Sequence, residues 1–212
     1  MLLYLVRHGE TDWNLQHKIQ GSTDIPLNAT GREQAAATGA LLASRSWDAI
    51  VSSPLSRAFE TASIIASAVG LPAPTTISDL VERNYGEAEG LSDAEIDVRF
   101  PGDSPVPGRE SREHVVERVL PALLALAESR PGQAVIVVSH GGVIRSVLNA
   151  IDPDGSHGMI RNGSVHSVSH QDGSLRLIAF NDPIDDESQD SETDDLDIQN
   201  EIERRETARN TA

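Results

Sequence analysis

The sequence predicts an α/β protein, a three-layer α/β/α sandwich around a mostly parallel sheet, and three observations carry that expectation. Short apolar runs at Leu2 to Val6, Ala49 to Val51 and Ala134 to Val138 each end abruptly in polar residues, the pattern of strands buried on both faces. Segments with helical periodicity and helix-end signals lie between these runs. With 212 residues, 38% of them hydrophobic and no internal repeat, the chain has material for one sizeable core.

Each element has a local reason. The first apolar run meets charge at Arg7 and lacks a basic leader and a small-residue cleavage site, so it is expected to be a buried first strand and not a signal peptide. Thr30-Gly-Arg-Glu33 has capping-box spacing and should open a helix reaching about Ala43. Ser53 followed by Pro54 is expected to cap a second helix that runs to Val69 and stops at Gly70. A longer helix is expected from Ser111 to Ser129, with Val116, Leu120, Leu123, Leu124 and Ala127 on one face and a bend at Pro121. Gly141-Gly142 should begin the next helix, ending near Ile151. Val165 to Ser169 and Leu175 to Phe180, joined through Gln171-Asp172-Gly173, have the form of a closing hairpin.

Charge divides the chain into two parts. The net charge is −16, and half of it falls in residues 183–212, where eleven Asp and Glu stand against three Arg. So acidic and apolar-poor a segment cannot offset its ordering entropy, which predicts a folded domain over residues 1–182 and a disordered tail over 183–212. The overall acidity argues against a nucleic-acid partner, whose phosphates require a basic face. No apolar run reaches the roughly 18 to 20 residues of a membrane span, so no membrane partner is expected. Cysteine is absent, which removes thiol nucleophiles and Cys-based zinc sites and is compatible with a cytoplasmic location. His17, His114, His157, His166 and His170 lack metal-ligand spacing and are expected on the surface or in packing, leaving no metal or cofactor in the expected site.

Chemistry gathers where the strands end. Ligands of open α/β sheets bind beyond the carboxyl ends of the strands. Arg7-His8-Gly9, Ser52-Ser53-Pro54 with Arg57, and Ser139-His140-Gly141 each follow a predicted strand, so two Arg and two His should converge on one region. Guanidinium forks match phosphate oxygens, and glycine-opened helix N-termini add backbone donors. Arg57 falls in the first turn of its helix, where the dipole disfavours a cation, so local stability does not account for it.

These motifs, with Trp13-Asn14, Pro26-Leu27 through Gly31 and Gln34-Ala35, Glu60-Thr61-Ala62 and Glu82-Arg83-Asn84-Tyr85-Gly86, resemble in order and spacing the histidine phosphatase superfamily, which includes the cofactor-dependent phosphoglycerate mutases. The resemblance covers about residues 2 to 180. It implies that His8 is the nucleophile that forms a phosphohistidine, and that Arg7, Arg57 and His140 complete the phosphate pocket. It places Asn14 and Gln20 at auxiliary substrate-binding positions, Gly21 and Gly141 at backbone positions beside the substrate, and Glu82 as proton donor to the leaving oxygen. The implied partner is a small phosphorylated substrate, handled without a metal. The short stretch between Gly90 and Glu110 leaves little room for the lid that mutases of this family carry, and Gln20 resembles phosphatase members. The segment Leu80 to Gly86 looks more mutase-like, so mutase transfer stands as the alternative, with a non-catalytic phosphate-binding protein behind it. Phe100 to Gly108, with Pro101, Pro105 and Pro107, is expected to be a stiff loop near the mouth of the site.

Overall fold

The computed structural model describes residues 1–155 and 157–184. Six strands, β1 (Leu2–Arg7), β2 (Ala49–Ser52), β3 (Thr75–Thr76), β4 (Ala134–Ser139), β5 (Val165–Gln171) and β6 (Ser174–Ala179), form one sheet in the order β3-β2-β4-β1-β5-β6. The pairs β3/β2, β2/β4 and β4/β1 are parallel, while β5 pairs antiparallel with both β1 and β6. The helices are α1 (Asp12–Leu15), α2 (Ala29–Leu42), α3 (Ser56–Val69), α4 (Asp93–Arg99), α5 (Arg112–Glu128) and α6 (Gly141–Ile151).

Strand alternation divides the core between the two faces of the sheet. Leu3, Leu5, Val135 and Val137 face one side, with Val115, Val119 and Leu123 of α5 and Val143 and Val147 of α6. Tyr4, Val6, Ile136 and Val138 face the other, with Leu42 of α2 and Ala58, Ala62 and Ile65 of α3. Helices on both faces bury both sides of β1 and β4, which is why those strands read as unbroken apolar runs. This is the three-layer α/β sandwich that the sequence predicts.

Several local expectations shift. The cap of α2 is Asn28, whose side chain accepts from Gly31 N–H, and Thr30 lies inside the helix. Ser53 does not cap α3, which starts three residues later with Leu55 at the cap position and no side-chain hydrogen bond there. In α5 the buried stripe is Val115, Val119, Leu123 and Ala127, with Val116, Leu120 and Leu124 half-buried on its flank. The contact with the sheet and α6 selects a narrow i, i+4 row. The helix runs on through Pro121, which is exposed, so that water can satisfy the carbonyl left without an N–H partner. Strand β3 and helices α1 and α4 are too short to generate a periodic signal. Gly70, in left-handed conformation, ends α3 as expected, and Asp172-Gly173, both at positive φ, turn the closing hairpin.

The first two residues of the expected tail, Pro183 and Ile184, are among the described residues. Ile184 is buried among the α2 and α3 contacts, and its carbonyl accepts from Arg45 Nη2 at 2.9 Å. The rest of the expected acidic tail lies outside the described residues. Burying an isoleucine contributes about 2 kcal/mol. A chain lacking residues 183–212 is therefore expected to melt roughly 4–8 °C below one lacking only 185–212. Equal melting temperatures by calorimetry would show that the Ile184 contact adds nothing.

Candidate active site

Parallel pairing brings the chemistry together. Arg7 is in register with Ser139, and Ser52 with Val138, so the three strands end side by side and His8, Ser53 and His140 leave the sheet together. His8 N–H still donates to Ser139 O at 3.0 Å, extending the ladder by one residue, and Asn162 Nδ2 donates to His8 O at 2.8 Å. The backbone of the nucleophile candidate is thus held from both sides.

The tautomer of His8 follows from its neighbours. Nδ1 lies 2.7 Å from Gly9 O, which can only accept, so Nδ1 carries the proton and Nε2 presents a lone pair. Arg57 Nε donates to that Nε2 at 3.3 Å. Burial, followed by the Arg57 and Arg7 charges, holds the His8 pKa well below the ordinary histidine range. The ring is therefore a neutral base at neutral pH, the form a nucleophile needs.

Arg57 is fully buried and forked between two carbonyls, donating from Nη1 to Thr23 O at 2.8 Å and from Nη2 to Gly21 O at 2.7 Å. Burial pushes its pKa down to about 10, opposed by Glu82, Asp24 and Glu89, so it remains a cation near neutrality. Arg7 is buried as well, donating from Nη1 to Ile160 O at 2.8 Å. The Gly9 N–H donates to Thr61 Oγ1 on α3, tying the loop after β1 to the helix that carries Arg57.

His140 packs edge-on against His8, with ring centroids 5.1 Å apart. Its Nε2 lies 2.8 Å from Ser53 Oγ, which in turn accepts from Leu55 N–H at 3.3 Å. A serine hydroxyl can donate to Nε2 or accept from it while holding the Leu55 bond, and His140 Nδ1 has no partner among the described residues. Burial, then Arg57, His8 and Arg7, holds His140 neutral too, its pKa well below the usual value. Gln20 Nε2 is a buried donor likewise unpartnered there, and the other end of its amide accepts from Thr11 Oγ1 at 2.8 Å. Buried donors left unmatched within the protein mark where an acceptor-rich ligand fits. Asn14 is buried in a capping box with Thr11, Gly21 adopts φ +55°, and Gly141 is the buried first residue of α6.

Glu82 is buried. Its carboxylate accepts from Gly142 N–H at 3.0 Å, Val143 N–H at 3.0 Å and Arg83 N–H at 2.8 Å. The first turn of α6 therefore receives Glu82, and those donors are not left for a phosphate. Gly142 is required there, since a β-carbon would stand 2.8 Å from Glu82 Oε1. Beyond Glu82 opens a cavity of about 470 Å³ lined by Ser22, Ser78, Asn84, Glu110, His114 and Arg118, among others. Arg118 is held there by a two-pronged pair with Glu110, at 2.8 and 3.0 Å. The Phe100 to Gly108 loop borders a neighbouring cavity of about 380 Å³ and is docked by the Glu87 N–H to Pro107 O hydrogen bond.

The structure thus gathers His8, Arg7, Arg57 and His140 in one buried cluster and places Glu82 within electrostatic reach of Arg57. Ser53, Thr61, Asn162 and Glu89 are supporting residues that the sequence did not single out. Ser53 and Thr61 stood inside recognised motifs, whereas Asn162 and Glu89 carry no local signal. No cluster of three or more His, Asp or Glu suited to a metal ion occurs among the described residues.

A neutral imidazole beside two buried arginines thus stands at the ends of the parallel strands of an α/β sheet. The chain belongs to the histidine phosphatase superfamily (branch 1), whose sequence pattern matches residues 3–183. It is 41% identical over 180 residues to the uncharacterized phosphatase PhoE of Bacillus subtilis, covering 84% of this chain and 92% of that one. A metal-independent phosphoserine phosphatase of Arabidopsis thaliana is 35% identical over 85% of this chain and 81% of its own. Among solved structures, mycobacterial glucosyl-3-phosphoglycerate phosphatase with bound VO3 superposes with a TM-score of 0.78 at 32% identity, covering 85% of this chain and 98% of that one. Proteins named phosphoglycerate mutases also match.

Proposed function

We propose that the chain is a phosphomonoester hydrolase acting through a phosphohistidine on His8, with no metal taking part. The observation that carries this reading is the buried, neutral His8 whose Nε2 lone pair lies against Arg57. In the first step Nε2 attacks phosphorus, the bond to the ester oxygen breaks, and Glu82 delivers a proton to that oxygen. Arg7 and Arg57 compensate charge on the equatorial oxygens, and His140 Nδ1–H and Gln20 Nε2 supply neutral donors. In the second step Glu82, now ionised, takes a proton from water as the water oxygen attacks the phosphohistidine, releasing inorganic phosphate and restoring His8.

Three N–H donors engage the Glu82 carboxylate. To act as the acid, Glu82 must be protonated in the substrate complex. The stretch between Gly90 and Glu110 is short for a lid that would keep water from the phosphohistidine. Glu110 already engages Arg118 in the adjoining cavity, so that guanidinium is matched before any second anionic group arrives. These features support hydrolysis over mutase transfer.

The two are separated by following 3-phosphoglycerate with phosphorus NMR in a chelating buffer. If this substrate is consumed, inorganic phosphate is expected to appear faster than 2-phosphoglycerate, without priming by 2,3-bisphosphoglycerate. Isomerisation outrunning phosphate release would reverse the ranking, and loss of activity that added metal restores would remove the metal-free mechanism.

A further inference from the structure

Glu89 does not belong to the proposed chemistry, yet its carboxylate accepts five hydrogen bonds. Oε1 receives Ser22 N–H at 2.9 Å, Ser22 Oγ at 3.1 Å and Tyr85 N–H at 3.0 Å. Oε2 receives Thr23 N–H at 3.0 Å and the Thr23 hydroxyl. A second feature of the fold serves the same contact. Gly21 adopts φ +55°, and a β-carbon there would collide with Glu89 Oε1, so the glycine clears the space the carboxylate fills.

The loop held in this way is the one that holds Arg57. Gly21 O and Thr23 O are the acceptors of the two terminal guanidinium nitrogens, and the remaining Nε faces His8 Nε2. On the other side Asp24 ties the same loop to α3, accepting from Ser56 N–H at 2.8 Å and Ser56 Oγ at 2.7 Å. Without Glu89, two convergent backbone N–H groups and two hydroxyls of the loop would lose their shared acceptor and re-pair with water or other acceptors, which frees the loop to turn. Its carbonyls would turn with it.

We infer that Glu89 is a positioning residue of the phosphoryl pocket: its carboxylate fixes the Gly21–Thr23 loop in the conformation whose carbonyls set the Arg57 guanidinium against His8. This rests on the proposed function for the role of the pocket, but the link from Glu89 to Arg57 is a matter of hydrogen bonds alone. A displacement of about 1 Å in a group that aligns reacting atoms costs on the order of 10²-fold.

The test is Glu89→Gln, which keeps the shape but presents an NH2 where a second acceptor oxygen is needed. A folded variant is expected to lose about 10- to 100-fold in kcat/KM and a similar factor in orthovanadate affinity measured by calorimetry, which needs no turnover. Because Glu89 acts through Arg57, the same substitution placed on Arg57→Lys should cost less than about threefold further, the coupling expected of two groups that act as one unit. Additive losses, or wild-type vanadate affinity in folded Glu89→Gln, overturn the inference. Should Glu89→Gln not fold, Thr23→Val removes one donor and is expected to weaken vanadate binding about three- to tenfold, with unchanged binding overturning it. A wild-type chain that binds no vanadate overturns the proposed function together with this inference, whereas binding unaffected in the variants overturns this inference alone.

Discussion

Replacing His8 with alanine is expected to lower turnover by at least about 10³-fold and to leave a folded protein. The imidazole supplies the bond to phosphorus, and no neighbour can take over that bond, since His140 Nε2 is committed to Ser53. The fold should survive because Arg57 and Arg7 keep their carbonyl partners, and the His8 side chain makes only two hydrogen bonds among the described residues, to Gly9 O and from Arg57 Nε. Rapid quenching of the wild-type reaction should trap an acid-labile, base-stable phosphoenzyme that the variant lacks. The pH profile adds an independent check. Burial and the two arginines depress the His8 pKa, so the neutral ring persists as pH falls through the ordinary histidine value of 6.5, and kcat/KM should not lose activity there through His8. A folded His8→Ala variant with retained activity would remove the nucleophile assignment.

Removing the Glu82 carboxylate as Glu82→Ala is expected to lower turnover about 10²- to 10³-fold on an alkyl phosphate, the range for loss of a general acid. The same variant should lose less than about tenfold in phosphoenzyme formation from p-nitrophenyl phosphate, whose leaving oxygen departs without a proton. The comparison matters because Glu82 also receives two N–H groups of the first turn of α6, and a capping carboxylate contributes about 1 kcal/mol on its own. If α6 merely shifts when the cap is lost, both substrates should slow alike. Equal losses would therefore assign Glu82 to holding the helix and leave the leaving oxygen without its proposed acid.

The apolar runs at Leu2, Ala49 and Ala134 identified β1, β2 and β4 because strands buried on both faces must be apolar at successive positions. The short elements escaped: a two-residue β3 or a four-residue α1 contains too few positions for a period to repeat. Caps were misread at Thr30 and Ser53 for a related reason. Many Ser, Thr and Asn have capping chemistry, and which one caps depends on where tertiary contacts begin the helix. In α3 they begin it at Ser56, which releases Ser53 to orient His140.

By itself the sequence determined the α/β class and the family pattern and singled out His8, Arg7 and His140 at strand ends and Arg57 in the helix turn that follows one, since strand ends are legible from local hydrophobicity. Only the tertiary structure decided what state those residues are in. The neutral His8 depends on its burial beside two arginines, and the orientation of His140 on Ser53, a residue at a different strand end. The placement of Glu82 on α6 and of Glu89 on the Gly21–Thr23 loop joins segments far apart in the chain. Hydrogen bonds and charges act through space over a few ångströms, while a sequence records only neighbours along the backbone, so contacts closed by the fold leave no local mark in it.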